Sequence, residues 1–259
     1  MKLLAFEFTT TADYSVPVTD HQLTLRCTPM EDAVQTVQQL ELLLEPCGSA
    51  APRAFRDGFG STVRWVSLRH PHSMLRYGCR GRVLVDLSRA AAESAPAPAL
   101  RHPGTLTVPG PVLRAAFAAL PPAQDPAAFC RILCGWLHRT LTYAPGATAV
   151  HTTAEAALAG GAGVCQDSAQ IFAALARLYG LPARYCMGLT VGEGATHAWA
   201  EVWYRGGWHG FDPTRGCETG ESYLRFAAGR DAADCPVEQG VFNGLADQTQ
   251  TVFMRVTEL

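Results

Sequence analysis

The chain has 259 residues, of which 48% are hydrophobic and 17% are charged. This balance is typical of a folded protein with one large or two smaller domains, and it excludes a disordered chain. The formal net charge is −2 and Lys and Arg form no dense run, so a nucleic-acid partner, which needs clustered cations, is not expected.

Residues 1–88 are predicted to form a β-rich domain. Leu, Phe and Phe alternate with Ala, Glu and Thr over residues 4–9. Runs of β-branched and aromatic residues at 63–67 and 82–86 are also typical of strands. Residues 40–44 fit either a strand or a buried helix.

Residues 89–111 are predicted to be a linker, because they contain Ala-Pro-Ala-Pro and several Pro-Gly steps. Residues 112–259 are predicted to form a core in which helices precede strands. The predicted helices span 126–141, 153–159 and 166–179, and the predicted strands span roughly 183–190, 196–204, 208–212 and 250–257. This order predicts an α+β fold, with an antiparallel β-domain followed by a helix-and-sheet core.

Nine cysteines are spread through the chain. An odd number without Cys-x-x-Cys pairs indicates neither a disulfide framework nor a zinc site, so most are expected to be buried thiols in a reducing cytoplasm. No apolar run approaches the roughly 20 residues that cross a bilayer, and Glu7 precedes any signal-peptide core. We therefore expect a cytoplasmic protein without a metal, a cofactor or a membrane partner.

Cys165 differs from the other cysteines because it lies at the start of the predicted helix 166–179. Unpaired backbone N–H groups and the positive end of the helix dipole favour a thiolate, which is the nucleophilic form. The same N–H groups could receive an oxyanion. Taken alone, the segment is equally consistent with a buried structural cysteine.

His197 lies 32 residues after Cys165, and Asp212 lies 15 residues further on. A histidine on a strand is, by itself, more often structural than catalytic. The second interval fits a hairpin, and its register is informative. A two-residue turn at 206–207 would place Asp212 four residues from His197, whereas a turn centred near 204–205 would place the two side by side. A Cys-His-Asp triad needs the second register, which we predict.

Four ordered segments surround these three residues. They are Gly-Val-Cys-Gln-Asp at 163–167, Leu-Pro-Ala-Arg-Tyr at 181–185, Thr-His-Ala-Trp-Ala-Glu-Val at 196–202 and Phe-Asp-Pro-Thr at 211–214. In these segments the chain resembles the bacterial transglutaminase-like superfamily, whose members are often described as candidate cysteine proteases. The β-rich first third resembles the domain that precedes the core in this family. The resemblance implies a papain-like core, in which a helix bearing the cysteine packs on an antiparallel sheet bearing His and Asp.

The resemblance also implies the roles of the three residues. Cys165 would be the nucleophile, His197 the base and then the acid, and Asp212 the group that orients the imidazole. Further candidates for lining the site or donating to an oxyanion are Tyr143, Gln166 and Trp199.

The sequence departs from the family pattern beside the triad. Residues 168–170 read Ser-Ala-Gln where an aromatic residue, Ala and His are common, and Arg215 follows Asp-Pro-Thr where Asn is usual. These departures leave every triad residue in place and bear on the substrate class.

The implied function is thiol-dependent amide chemistry on a peptide or protein substrate, through a thioester intermediate. Water as the second nucleophile gives hydrolysis and an amine gives glutamine transamidation, and the triad is the same for both. The family favours hydrolysis. The alternatives are a non-catalytic binding module that keeps the fold, and amide-bond formation on a small carrier or metabolite.

Overall fold

A long N-terminal strand organises the first half of the molecule. The computed structural model describes residues 1–47, 51–92 and 95–259. The first strands are β1 (Lys2–Leu25), β2 (Gln35–Glu45), β3 (Arg53–Arg56), β4 (Thr62–Leu68) and β5 (His72–Val85). The first half of β1 pairs with β5 and its second half with β4, both antiparallel. Residues 40–44, which fitted a strand or a helix, lie in β2.

The helices and the remaining strands follow, and each predicted helix and strand of residues 112–259 is among them. They are α1 (Pro111–Ala119), α2 (Pro126–Thr140), β6 (Thr142–Tyr143), α3 (Ala154–Gly160), β7 (Ala162–Gly163), α4 (Cys165–Leu178), β8 (Ala183–Thr190), β9 (Gly192–Gly194), β10 (His197–Tyr204), β11 (Gly207–Asp212), β12 (Cys217–Glu218), β13 (Tyr223–Gly229), β14 (Glu238–Asn243) and β15 (Gln248–Glu258). Asp125 caps α2 by accepting a hydrogen bond from a backbone N–H, and Thr153 caps α3 in the same way. The α+β class is confirmed.

The second sheet carries the core. Its strands lie in the order β12-β11-β10-β8-β13, and neighbours are antiparallel. Helix α4 packs across β8 and β10, and the ring of Phe172 stacks on Phe211 with centroids 5.3 Å apart. The helix is buried over most of its length. Because both faces of α4 are covered, its first residue is held in a defined position against the sheet.

The C-terminal strands return to the first sheet. Strand β15 pairs with β1 from Leu4 opposite Glu258 to Tyr14 opposite Gln248, and β14 pairs with the far end of β1. The predicted division assigned all of residues 112–259 to the core, whereas 238–258 complete the N-terminal sheet. Local patterns show that a segment is a strand, but its partner is decided by contacts across the whole chain.

The predicted linker is packed against the core over its second half. Leu100 is buried, and the Arg177 guanidinium donates to the Leu100 carbonyl (3.2 Å) and to Thr107 Oγ1 (3.1 Å). The Leu106 N–H donates to Asp231 Oδ2 at 2.7 Å. These contacts tie residues 100–107 to the helices, so this part of the segment has fixed geometry.

A buried ion-pair network joins the second sheet to the segment between β1 and β2. Glu201 of β10 accepts from Arg184 Nε (2.7 Å), from Arg225 Nη1 (2.6 and 2.8 Å) and from the Trp199 indole (3.0 Å). Arg225 also pairs with Asp32 of the N-terminal region. Buried charges are tolerated when each is paired and hydrogen-bonded, and this network meets both conditions.

Candidate active site

Cys165 is the first residue of α4. Asp167 helps to cap the N-terminus of this helix, because its Oδ2 accepts hydrogen bonds from the Val164 N–H (2.8 Å) and from Thr148 Oγ1 (2.7 Å). A Cβ at Gly163 would lie 2.7 Å from the Asp167 carboxylate, so this position needs glycine. Cys165 is partly exposed, with its sulfur at the positive end of the helix dipole.

His197 and Asp212 meet at neighbouring strand ends. The His197 Nε2 lies 2.7 Å from Asp212 Oδ2, and the Asp212 side chain is fully buried. Cys165 lies close enough to His197 to raise the pKa of the imidazole. Because Nε2 faces the carboxylate, Nδ1 is the ring nitrogen that remains for the thiol. The structure therefore places His197 between Cys165 and Asp212, with a hydrogen bond to the acid and with the cysteine close by.

The hairpin register differs from both alternatives considered for the sequence. Arg205 and Gly206 have φ values of 52° and 81° and form the turn, so Tyr204 pairs with Gly207. Both central residues of this turn type need positive φ, which favours glycine in the second position. The prediction of a turn centred at 204–205 was wrong by one residue.

Asp212 nevertheless reaches His197. The observed register places Ala200 opposite Phe211, so its continuation sets Asp212 opposite Trp199, two residues from His197. Side chains two residues apart on a strand share a face, and diagonal neighbours lie about 7–8 Å apart at Cα, within reach of a histidine. A diagonal contact thus replaces the direct cross-strand pair that we predicted.

Electrostatics favour a charged imidazole. Burial by itself would lower the pKa of His197, but its hydrogen bonds to Asp212 and Cys165 and their negative charges raise it to about 9. Burial would raise the pKa of Asp212, yet the hydrogen bond and charge of His197 hold it below its ordinary value. At neutral pH the two side chains therefore form an imidazolium–carboxylate pair.

Two residues that the sequence did not single out as part of the triad hold Asp212. The Tyr223 hydroxyl donates to Asp212 Oδ2 at 2.8 Å, and the Arg215 backbone N–H donates to Oδ1 at 3.1 Å. The Arg215 guanidinium lies over the Tyr223 ring, 5.7 Å from its centroid. Arg215 Nε also lies 3.6 Å from Asp212 Oδ2, so the departure from the family pattern at 215 places a cation beside the acid. Tyr223 begins β13, a strand that the sequence did not reveal, so only tertiary structure identifies it.

The three further candidates occupy different environments. Gln166 is partly exposed and donates to the Val150 carbonyl at 3.0 Å. Tyr143 is 58% exposed, on a short strand that pairs with the segment before Cys165. Trp199 is 1% exposed, so it does not line an open site. It shares a strand face with His197, but the ring of Tyr223 packs against it with centroids 5.3 Å apart.

A cleft of about 710 Å³ opens between the first sheet and the core. Gln166 and Thr196, the chain neighbours of the cysteine and the histidine, line its core side. Phe8, Tyr77 and Glu238 line it from the first sheet. The N-terminal β-domain and the returning C-terminal strands therefore form one wall of the space beside the triad.

Some kinds of site were not found. Within the described residues, no group of three or more His, Cys, Asp or Glu is arranged to hold a metal ion. No helix in the part of the chain that the structure describes is long and apolar enough to cross a membrane.

Comparison with known proteins places this architecture in a family. Residues 116–213 match the transglutaminase-like superfamily core, and residues 4–84 match the bacterial transglutaminase-like N-terminal region. The structure of a candidate cysteine protease from Cytophaga hutchinsonii is similar over 100% of this chain and 92% of that one, with a TM-score of 0.81 and 20% identity. The fold is therefore that of a transglutaminase-like protein. The chain belongs to this superfamily and carries its bacterial N-terminal region.

Relatives in mycobacteria match part of the chain. A Mycobacterium leprae protein is 36% identical over 134 residues, which is 48% of each chain. A Mycobacterium tuberculosis protein is 35% identical over 127 residues, 43% of this chain and 40% of its own. The matched region is thus less than half the length of these relatives, and the comparison supports shared structure in that region alone.

Proposed function

We propose that this protein performs thiol-dependent amide chemistry on a peptide or protein substrate. The observation that carries the proposal is the His197–Asp212 hydrogen bond with Cys165 close to the same imidazole, beside a cleft of about 710 Å³. A buried acid, an imidazole and a thiol at a helix N-terminus are the groups that nucleophilic acyl transfer requires.

The reaction follows from the placement of each group. His197 already carries the proton as an imidazolium, so Cys165 reacts as the thiolate, and its sulfur attacks the substrate carbonyl carbon. The backbone N–H of Cys165, which lies at the start of α4, is available to the oxyanion that forms. The imidazolium then protonates the departing amine or ammonia, the C–N bond breaks, and a thioester remains on the sulfur. Asp212 holds the ring orientation and stabilises the imidazolium throughout.

The thioester has two fates. Attack by water, activated by His197, releases a carboxylic acid, whereas attack by an amine forms a new amide. We favour hydrolysis, which agrees with the candidate cysteine protease assignment of the Cytophaga hutchinsonii protein. The second candidate function is a binding module without catalysis. The intact triad favours catalysis, because a binding module has no need for a charged imidazole beside a thiol.

The proposed chemistry requires a reducing compartment. All nine cysteines are free thiols, and a nucleophilic thiol needs a reducing compartment to remain active. We therefore propose that the protein acts in the bacterial cytoplasm.

The test combines a thiol probe with a substrate assay. Wild type and Cys165→Ala are incubated with low concentrations of fluorescent iodoacetamide, and then with casein in the presence and absence of a labelled primary amine. Cys47→Ala is the matched control, because Cys47 is an exposed thiol in the first half of the chain. We expect rapid labelling and casein turnover in wild type and Cys47→Ala, and loss of both in Cys165→Ala.

The outcomes separate the alternatives. New casein fragments without amine incorporation support hydrolysis, and incorporation supports transamidation. Equal labelling rates in wild type and Cys165→Ala would refute the assignment of the nucleophile. Rapid labelling without any reaction on casein or the amine counts against a protein substrate.

A further inference from the structure

Glu238 places a carboxylate in the wall of the cleft. It is the first residue of β14, opposite Leu25 at the end of β1. Among the described residues that line the cleft, it is the single carboxylate, and none is Lys or Arg. His151 is the one histidine in the described wall, and no lysine or arginine there balances the charge of this carboxylate.

The partners of Glu238 are neutral. Gln250 Nε2 donates to Glu238 Oε2 at 3.1 Å, and the Tyr77 side chain lies close enough to affect the pKa of the same carboxyl group. Partial burial raises the pKa of Glu238 above its ordinary value. In the described structure no Lys, Arg or His lies within ion-pair distance of it. A cation brought by a ligand would stabilise the ionised form, because it offsets the loss of hydration.

The walls around this carboxylate suit an alkyl chain. Val252 is 38% exposed and contributes apolar surface to the cleft, Phe8 and Met187 are buried in its walls, and Tyr77 lies beside the carboxylate. Lysine and arginine combine an aliphatic stem with a charged end, so they bury the stem against apolar surface while the charge finds a partner. A neutral aliphatic side chain would fill the same space and leave Glu238 without an ionic partner.

We propose that the cleft binds an acyl substrate carrying a cationic side chain, lysine or arginine, and that Glu238 is the specificity-determining residue that receives its charge. This rests on the proposed function, since the cleft is a substrate site only if Cys165 is the nucleophile. Gln166 and Thr196 line the same cleft, and they place this subsite on the surface that leads to the triad.

The experiment uses electrophilic tripeptide probes that react with the catalytic thiol. Each probe is a tripeptide that ends in a vinyl sulfone, and lysine or norleucine is placed at each of the three positions in turn. The second-order rate constant for inactivation is measured for each probe. Norleucine matches the length of the lysine stem but lacks its charge. At one position we expect wild type to react about tenfold faster with the lysine probe, the factor that one charge-assisted contact provides.

Two variants assign this preference to a residue. In Glu238→Gln the ratio of lysine to norleucine rates should fall to about one, because the amide keeps the shape and removes the charge. Glu193→Gln is the control, because Glu193 is an exposed acid of β9 paired with Arg255 and should keep the wild-type ratio. If Glu238→Gln fails to fold, wild type alone decides: equal rates for lysine and norleucine at every position overturn the proposal.

Failure of this inference differs from failure of the proposed function. Iodoacetamide without a dye is too small to need the cleft, so its reaction with wild type and Cys165→Ala, followed by mass spectrometry, reports on the nucleophile alone. Iodoacetamide labelling at Cys165 without a lysine preference overturns the role of Glu238 and leaves the nucleophile in place. Absence of labelling at Cys165 removes the proposed function, and the subsite with it.

Discussion

Replacing Asp212 with Asn should lower the pKa of His197. In wild type, burial disfavours the imidazolium, but the hydrogen bonds and negative charges of Asp212 and Cys165 raise this pKa to about 9. Asparagine removes the negative charge of the acceptor and keeps nearly the same volume. Cys165 still acts on the ring, so the loss is partial.

The magnitude follows from the contact that is lost. A hydrogen bond to a charged group contributes about 1.5–3 kcal/mol, which corresponds to a fall of about one to two pH units. The sign for stability follows from the same shift. Because the folded-state pKa of His197 lies above its ordinary value of 6.5, this stabilisation is complete below pH 6.5 and is lost as pH rises through about 9. In Asp212→Asn the stabilisation from His197 should be smaller, and it should be lost at a lower pH than in wild type.

NMR titration of isotope-labelled histidine rings measures the pKa directly. The chain has eight histidines, and the signal absent from His197→Gln identifies the relevant ring. Asp20→Asn is the matched control, because Asp20 is exposed and has a φ of 49°, a conformation that asparagine tolerates. An unchanged midpoint for His197 in Asp212→Asn, or a wild-type midpoint below 7, would show that Asp212 does not stabilise the imidazolium.

Two further predictions concern the groups around the triad. Tyr223→Phe removes the 2.8 Å donor to Asp212 Oδ2 and should slow the reaction about tenfold, as expected for one hydrogen bond to a charged group. Kinetics should show a fall in kcat with little change in KM, and a changed KM alone would contradict a positioning role. Glu201→Gln removes the charge of a carboxylate that two buried guanidinium groups share. It should reduce the free energy of unfolding by about 3 kcal/mol, the lower end of the range for breaking a buried pair, because Arg225 keeps Asp32. Urea denaturation measures it against Glu193→Gln, whose acid is exposed. Equal midpoints for the two variants would mean that the network contributes little.

Local patterns predicted much of the secondary structure. Asp125 caps α2, Thr153 caps α3, and apolar residues recur every three or four positions along α4. These features depend on neighbouring residues, so they can be predicted from the sequence directly. The motif around Cys165 indicated the family for the same reason, because a short ordered pattern can be recognised in the sequence without knowing any tertiary contact. Strand β13 was missed because its burial on both faces leaves no alternation to read.

The sequence by itself determined the α+β class, the family, and the position of Cys165 at a helix start. Tertiary structure decided that β15 completes the N-terminal sheet, that Asp212 reaches His197 diagonally, and that Tyr223 holds the acid. The physical reason is the range of the forces involved. Helix periods and caps depend on residues within about four positions, whereas strand pairing and side-chain contacts join residues that are distant in the chain and are selected by the packing of the whole molecule.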